Sequence, residues 1–135
     1  LPVKQHRTKT TSRYFNYIYV RMGAHTLIHK RTEDDIWKNL FELPLVETEK
    51  DLSEEEFLAC PQFHALFAEG EVRMVRTLLR GVKHVLSHRV IYTNFYEVTL
   101  PDNSSSFSSY QRVAVEDLGR YAVPRLIHAF LEKYV

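Results

Sequence analysis

The chain has 135 residues, 44% of them hydrophobic and 13% aromatic, which suits one globular domain with a core of its own and excludes a disordered or fibrous polypeptide. No apolar run approaches the roughly 18 residues of a membrane-spanning helix, and no signal-peptide pattern opens the chain. The net charge is +1 and Cys60 is the single cysteine, which excludes an internal disulfide, a cysteine-based zinc site and a cluster held by four cysteines. A reducing, cytoplasmic setting is therefore expected, and an opening on Leu1-Pro2 in place of Met reads as a segment of a longer protein.

The near-neutral total hides a segregation. Residues 1–31 carry Lys4, Arg7, Lys9, Arg13, Arg21, Lys30 and Arg31 and no acid. Residues 32–71 invert this, with twelve acids against Lys38 and Lys50, and residues 72–95 invert it again with Arg73, Arg76, Arg80, Lys83 and Arg89. Two basic segments that meet in the fold would make a positive face, so a common basic face is expected.

In chain order, residues 1–12 are polar and basic without apolar periodicity and read as a linker or arm, leaving 13–135 as the folded domain. Arg13 to Arg21 is aromatic and β-branched, a strand. Met22-Gly23-Ala24-His25 reads as a turn, and Thr26 to Lys30 as the returning strand of a hairpin. His25 and His29 fall on one face of that strand but well separated, so they are expected to be exposed positions and not metal ligands. Thr32 to Asp35 is an acidic turn. Ile36 to Pro44 reads as a loop plus a short buried strand, with Trp37 anchoring the core.

Ser53 and Glu56 have capping-box spacing at the start of a helix whose first turn, Glu54-Glu55-Glu56, is acidic. Phe57 and Leu58 open its apolar face. Pro61 breaks it, and Phe63, Leu66 and Phe67 add a further turn or two before Gly70. The acidic cluster is read as a solvated helix start in preference to a metal site.

Glu71 to Leu79 is a strand or extended connection. In Val82 to Ile91, Lys83, Val85, Ser87 and Arg89 alternate with His84, Leu86, His88 and Val90, which predicts a strand that turns near Ser87 and His88 and a second strand leaving it through Tyr92 to Leu100. A hydroxyl and an imidazole side by side at a strand end can offer donors and acceptors to a planar polar ligand. Arg76, Arg80, Lys83 and Arg89 nearby would favour a ligand attached to phosphate. Read without a family in mind, Ser87 is first a turn residue and His88 an ordinary surface or core histidine. Pro101 to Ser109 reads as a polar, mobile loop, Tyr110 to Val115 as a short extended piece, and Glu116 to Tyr121 as one helical turn. Pro124 opens a final helix, with Leu126, Ile127, Phe130 and Leu131 as its core stripe. Hairpins with two or three helices, and no βαβ repeat, predict an α+β domain.

The order Tyr14-Phe15-Asn16-Tyr17, Lys30-Arg31, Asp35-Ile36-Trp37-Lys38-Asn39-Leu40-Phe41-Glu42-Leu43-Pro44, His84-Val85-Leu86-Ser87-His88 and Pro124-Arg125-Leu126-Ile127 resembles the C-terminal domain of MutY-type adenine DNA glycosylases across nearly the whole chain. That resemblance implies a Nudix-like fold, a mixed or antiparallel sheet flanked by two or three helices, that helps select 8-oxoguanine paired with a misplaced adenine. It assigns lesion recognition to Ser87 and His88, with Leu86 where the family often has Phe; Arg76, Arg80, Lys83 and Arg89, read from their charge, are expected along the DNA backbone. The family often has a Gly pair at Lys38-Asn39. Adenine excision would belong to a separate N-terminal helical domain with a catalytic Glu and Asp and a 4Fe-4S cluster, which one cysteine cannot hold. No cofactor is expected in this segment. The expected partners are double-stranded DNA with 8-oxoguanine opposite adenine and that catalytic domain, in a bacterial cytoplasm at the nucleoid.

Two alternatives differ in class. A Nudix hydrolase needs a Gly followed by an Arg-Glu helix with paired glutamates holding magnesium on a diphosphate. Here Glu54-Glu55-Glu56 are the only candidates, and no Arg lies between Arg31 and Arg73. A protein-interaction module without nucleic-acid contact would show no salt-sensitive binding to duplex DNA.

Overall fold

A computed structural model describes residues 11–32 and 37–134. Two sheets carry the fold. The larger has the order β4-β1-β6-β5, from β1 (Thr11–Arg21), β4 (Leu45–Thr48), β5 (Met74–Leu86) and β6 (Arg89–Thr99). The smaller has the order β3-β2-β7, from β2 (His25–Lys30), β3 (Phe41–Glu42) and β7 (Gln111–Ala114). β1 runs parallel to β6, and the other pairings are antiparallel. With helices α1 (Glu54–Ala59), α2 (Pro61–His64) and α3 (Arg125–Tyr134) and a 3₁₀ helix at Val115–Arg120, this is the expected α+β class with a mixed sheet. Among the described residues no helix is long and apolar enough to cross a membrane.

The larger sheet is covered on both faces over most of its length, which is why β1 and β6 read as nearly unbroken apolar and aromatic runs. On one face Phe15, Tyr17, Tyr19, Ile91 and Phe95 pack with Trp37 and with Leu126, Ile127 and Phe130 of α3. Phe95 and Phe130 stack at 4.1 Å. Burying each of the three α3 side chains contributes about 1.5–3 kcal/mol. On the other face Ile18, Val20, Tyr96 and Val98 meet Phe57 of α1 and Phe63 of α2.

Several expectations hold. Trp37 is a core residue, 7% exposed. Ser53 and Glu56 form both halves of the capping box, and Pro61 separates α1 from α2. Of the α3 stripe Leu126, Ile127 and Phe130 are buried and Leu131 is half-buried, although the helix begins one residue after Pro124, whose carbonyl accepts from the His128 amide.

Other expectations are corrected. β2 does not return beside β1: only Met22 and His25 bridge, because β4 and β6 already occupy both edges of β1 and the chain must leave for the second sheet. Gly23 makes that exit at φ +63, where a Cβ would lie 2.8 Å from an Asp102 carboxylate oxygen. Of the arm expected over 1–12, residues 1–10 lie outside the described residues, and Thr11 and Ser12 belong to β1. The acidic turn and Asp35-Ile36 lie largely outside them too. The strand expected within 36–44 shrinks to Phe41–Glu42. Asn39, where the family often has Gly, takes φ 75, a left-handed conformation that Asn tolerates better than most residues, and donates its amide to the Arg31 carbonyl. The loop over 101–109 is pinned: the Glu71 carboxylate accepts from the hydroxyls of Ser104 and Ser106 and from the amide of Ser105.

Candidate nucleic-acid interface

β5 and β6 form the longest hairpin of the fold, and its two-residue turn is Ser87-His88, between the paired Leu86 and Arg89. Two-residue hairpins favour turns with positive φ, yet neither Ser87 nor His88 adopts one. The turn is held from outside instead, since the Thr11 amide and hydroxyl both donate to the His88 carbonyl at 3.3 Å. Ser87 and His88 are exposed, and no described residue engages either side chain. Leu86 is half-buried and packs against the α3-side core, as does Val82, while His84 lies 6.2 Å from the Trp37 ring.

Paired residues on neighbouring strands share a face, so the register shows which way each β5 side chain points. Arg76 pairs with Glu97 on the α3 side and bonds its carboxylate at 2.7 Å. A bulge follows, with register shifts on both sides of Leu79 and with Gly81 at φ +71 donating to the Asn94 side chain. Arg80 then lies on the α1 side. It donates to the Tyr96 hydroxyl at 2.6 Å and to the Leu52 carbonyl at 2.8 Å, with Asp51 3.7 Å away. Burial pushes the Tyr96 phenol up, which keeps it a neutral acceptor for Arg80. Lys83 is exposed and pairs with Tyr92 on the α1 side, and Arg89 is half-buried at the turn.

The common basic face is thus corrected. Arg76 and Arg80 point to opposite sides of the sheet, and each is paired with a carboxylate, Glu97 and Asp51 respectively. In the first basic segment Arg13 is bidentate on Glu47, Arg21 lies 3.5 Å from Glu97, and Arg31 is buried on Glu42. Glu97 of β6 lies between the two basic strands and meets Arg21 and Arg76, while Glu42, Glu47 and Asp51 of the acidic segment meet Arg31, Arg13 and Arg80, so segregation along the chain does not survive in space.

The same is true of the carboxylates on α1. Glu56 is spent on the Ser53 amide, which holds its carboxyl below the usual range, and Glu54 accepts from the Thr77 hydroxyl. Among the described residues no group of three His, Cys, Asp or Glu side chains converges on a metal position. These donors do not fit the paired-glutamate magnesium site of a hydrolase.

One polar centre escaped the sequence reading. Glu42, 2% exposed, accepts from Tyr17 at 3.1 Å and from Arg31 at 3.0 Å, and His29 Nε2 lies 3.1 Å from its other oxygen. The His29 contact is close but not aligned as a hydrogen bond, so Arg31 is the ion that balances Glu42. His29, expected as an exposed strand position, is instead half-buried and packs its ring 4.6 Å from that of Tyr110. Nothing local in the sequence announces a buried Arg–Glu pair eleven residues apart.

A NUDIX domain model matches residues 16–133. The chain belongs to the Nudix family. Solved structures agree on the fold of this Nudix domain. It superposes with a TM-score of 0.67 and 15% identity on the complex between the C-terminal domain of mouse MUTYH and human PCNA, over 90% of this chain and 86% of that one. MutT from Methanosarcina mazei Go1 matches with a TM-score of 0.60 and 16% identity, over 94% and 95%. MutT studied from Aliivibrio salmonicida and Vibrio cholerae matches with a TM-score of 0.60 and 15% identity, over 91% and 96%. No curated protein sequence matches the Nudix domain.

Proposed function

We propose that this Nudix domain reads 8-oxoguanine opposite adenine for an adenine DNA glycosylase, as the MutY resemblance implies, and is non-catalytic alone. The observation that carries the reading is the Ser87-His88 turn, exposed at the end of the hairpin with its backbone held by Thr11 and neither side chain engaged by a described residue. Oxidation at C8 gives guanine a carbonyl and turns N7 from acceptor to N–H donor. A reader must therefore place an acceptor at N7 and a donor at O8. The Ser87 hydroxyl can do either by rotating, and His88 or the neighbouring backbone supplies the other bond. Unmodified guanine leaves a polar group facing its like, a penalty of roughly 1–3 kcal/mol. Excision, with its Glu, Asp and 4Fe-4S cluster, then belongs to the catalytic domain that partners this one, acting at the nucleoid of a bacterial cytoplasm. Of the four basic residues, Lys83 and Arg89 remain for the backbone.

The test is Ser87→Ala with His88→Ala in the full-length enzyme. Single-turnover excision at limiting enzyme should lose about five- to a hundredfold of its preference for 8-oxoguanine:adenine over guanine:adenine. Excision itself should persist. An unchanged ratio in a folded double variant returns both residues to an ordinary turn. The hydrolase alternative has the MutT likeness in its favour, which extends to the fold alone, while among the described residues no three His, Cys, Asp or Glu side chains converge on a metal position.

A further inference from the structure

The reading of the turn leaves open the side from which DNA reaches it, and the two faces of the hairpin differ in what they offer. On the α3 side the end of the hairpin is closed, with Val82, Leu86 and His84 turned onto the core and Trp37. On the α1 side the helices cover the sheet only as far as Tyr96, whose ring stacks on Phe57 at 4.7 Å. Arg80, bonded to Tyr96 and Leu52, marks that limit.

Between Arg80 and the turn no described helix covers the α1 side. Register places Tyr92 and Val90 of β6, Lys83 and Val85 of β5, and Tyr14 and Ser12 of β1 together there. Tyr14 and Tyr92 are half-exposed and stack at 5.5 Å with 15° between their planes. Val85 is 65% exposed, the most exposed large hydrophobic side chain among the described residues. No member of this group is acidic, and four of the six carry a hydroxyl or an ammonium donor. The chain before Thr11 carries Lys4, Arg7 and Lys9 and no acid, and it joins the fold at the residue bonded to His88.

We propose that duplex DNA lies against this α1-side face, its sugar–phosphate backbone crossing the stacked Tyr14 and Tyr92 beside Lys83, while Arg76 and Arg80 stay with the protein's own carboxylates. Phosphate oxygens accept from phenol, hydroxyl and ammonium donors, which position a duplex without reading it, and the apolar rings and Val85 pack on deoxyribose. The proposal rests on the lesion-reading assignment and adds the surface that brings the strand to the turn.

The test uses the full-length protein and measures binding to duplexes with 8-oxoguanine:adenine and with guanine:adenine across a salt series. Lys83→Ala should shallow the salt slope by about one unit, and Arg76→Ala should leave it unchanged. Val85→Glu, a change at an exposed position, should weaken binding to both duplexes about tenfold, through a like charge set against phosphate. Tyr14→Phe with Tyr92→Phe keeps the stack and should weaken both alike. If Val85→Glu and Lys83→Ala bind as the parent does, the proposal is overturned and a protein partner becomes the occupant of this face. If they weaken binding while Ser87→Ala with His88→Ala leaves the excision ratio intact, the DNA surface stands and the lesion-reading assignment falls.

Discussion

Thr11 gives both its amide and its hydroxyl to the carbonyl of His88, each at 3.3 Å, so the first residue of β1 holds the turn between β5 and β6. The contact spans 77 positions of sequence. It completes at the end of the sheet the parallel pairing of β1 with β6, which starts at Thr11 opposite Arg89. Thr11 is thereby a positioning residue for Ser87 and His88. Replacing it with Val keeps the amide bond and strand propensity and removes the hydroxyl bond, a loss of about 0.5–1.5 kcal/mol in the definition of the turn. Thr11→Val should lower the preference for 8-oxoguanine:adenine by about two- to tenfold, with Thr11→Ser restoring it and the limiting excision rate unmoved. A ratio equal to the parent's would show that the turn needs no such support.

Where a signal was local, the sequence was readable. The Ser53–Glu56 capping box, the Pro61 break, the α3 stripe and the turn at Ser87-His88 depend on residues within a few positions of one another, and each is found. Pairings over distance were not readable. β4 is too short for alternation to mark it, with only Leu45 and Val46 apolar, and β2 looks like a hairpin return until the edges of β1 are seen to be taken. The basic residues misled for the same reason. Glu47, Glu97 and Asp51 reach Arg13, Arg76 and Arg80 only through the sheet register and the β4–α1 connection. Arg31, the largest fully buried side chain among the described residues, carries a residue type that composition assigns to the surface.

No magnesium-dependent hydrolysis of nucleoside triphosphates or dinucleoside polyphosphates is expected of this domain. The carboxylates of Glu54 and Glu56 are engaged by Thr77 and by the Ser53 amide, which leaves Glu55 without the paired partners that bridging a metal to a diphosphate requires. Phosphate release assayed with magnesium should stay at the level of buffer. Turnover that vanishes on Glu55→Gln or Glu56→Gln would overturn the expectation.

Glu42 is the residue whose loss should cost the fold most. Removing one partner of a buried ion pair is destabilising by about 3–5 kcal/mol. Glu42→Gln takes from the Arg31 guanidinium, 1% exposed, the charge of the carboxylate bonded to it inside the domain and also alters the acceptor of Tyr17. Urea unfolding should show that loss in the midpoint without a change in slope. A loss below about 1 kcal/mol would mean that the pair adds little beyond its own burial.

The clasp of Glu71 on the serine loop should make part of the stability pH-dependent. Its carboxylate accepts from Ser104 at 2.5 Å and from Ser106 at 2.7 Å, as well as from the Ser105 amide, and these bonds lower its pKa from 4.5 to about 2. The folded value lies below the unfolded one, so the native state favours the charged form. The contribution is therefore complete above pH 4.5 and is lost as the pH falls toward 2. Glu71→Gln cannot ionise and has no such dependence at this position. Urea midpoints of the two proteins, measured at steps from about pH 6 to about pH 2.5, should differ most at the upper end and converge at the lower, with the parent the more stable wherever they differ. Because the serines anchor the segment that leads from Gly70 into β5, the protection of the Ser104 to Ser106 amides, taken relative to the intrinsic exchange rate at each pH, should fall over the same interval in the parent protein. A gap between the two midpoints that stays constant down to the lowest pH would show that the serine hydroxyls hold the loop without help from the charge.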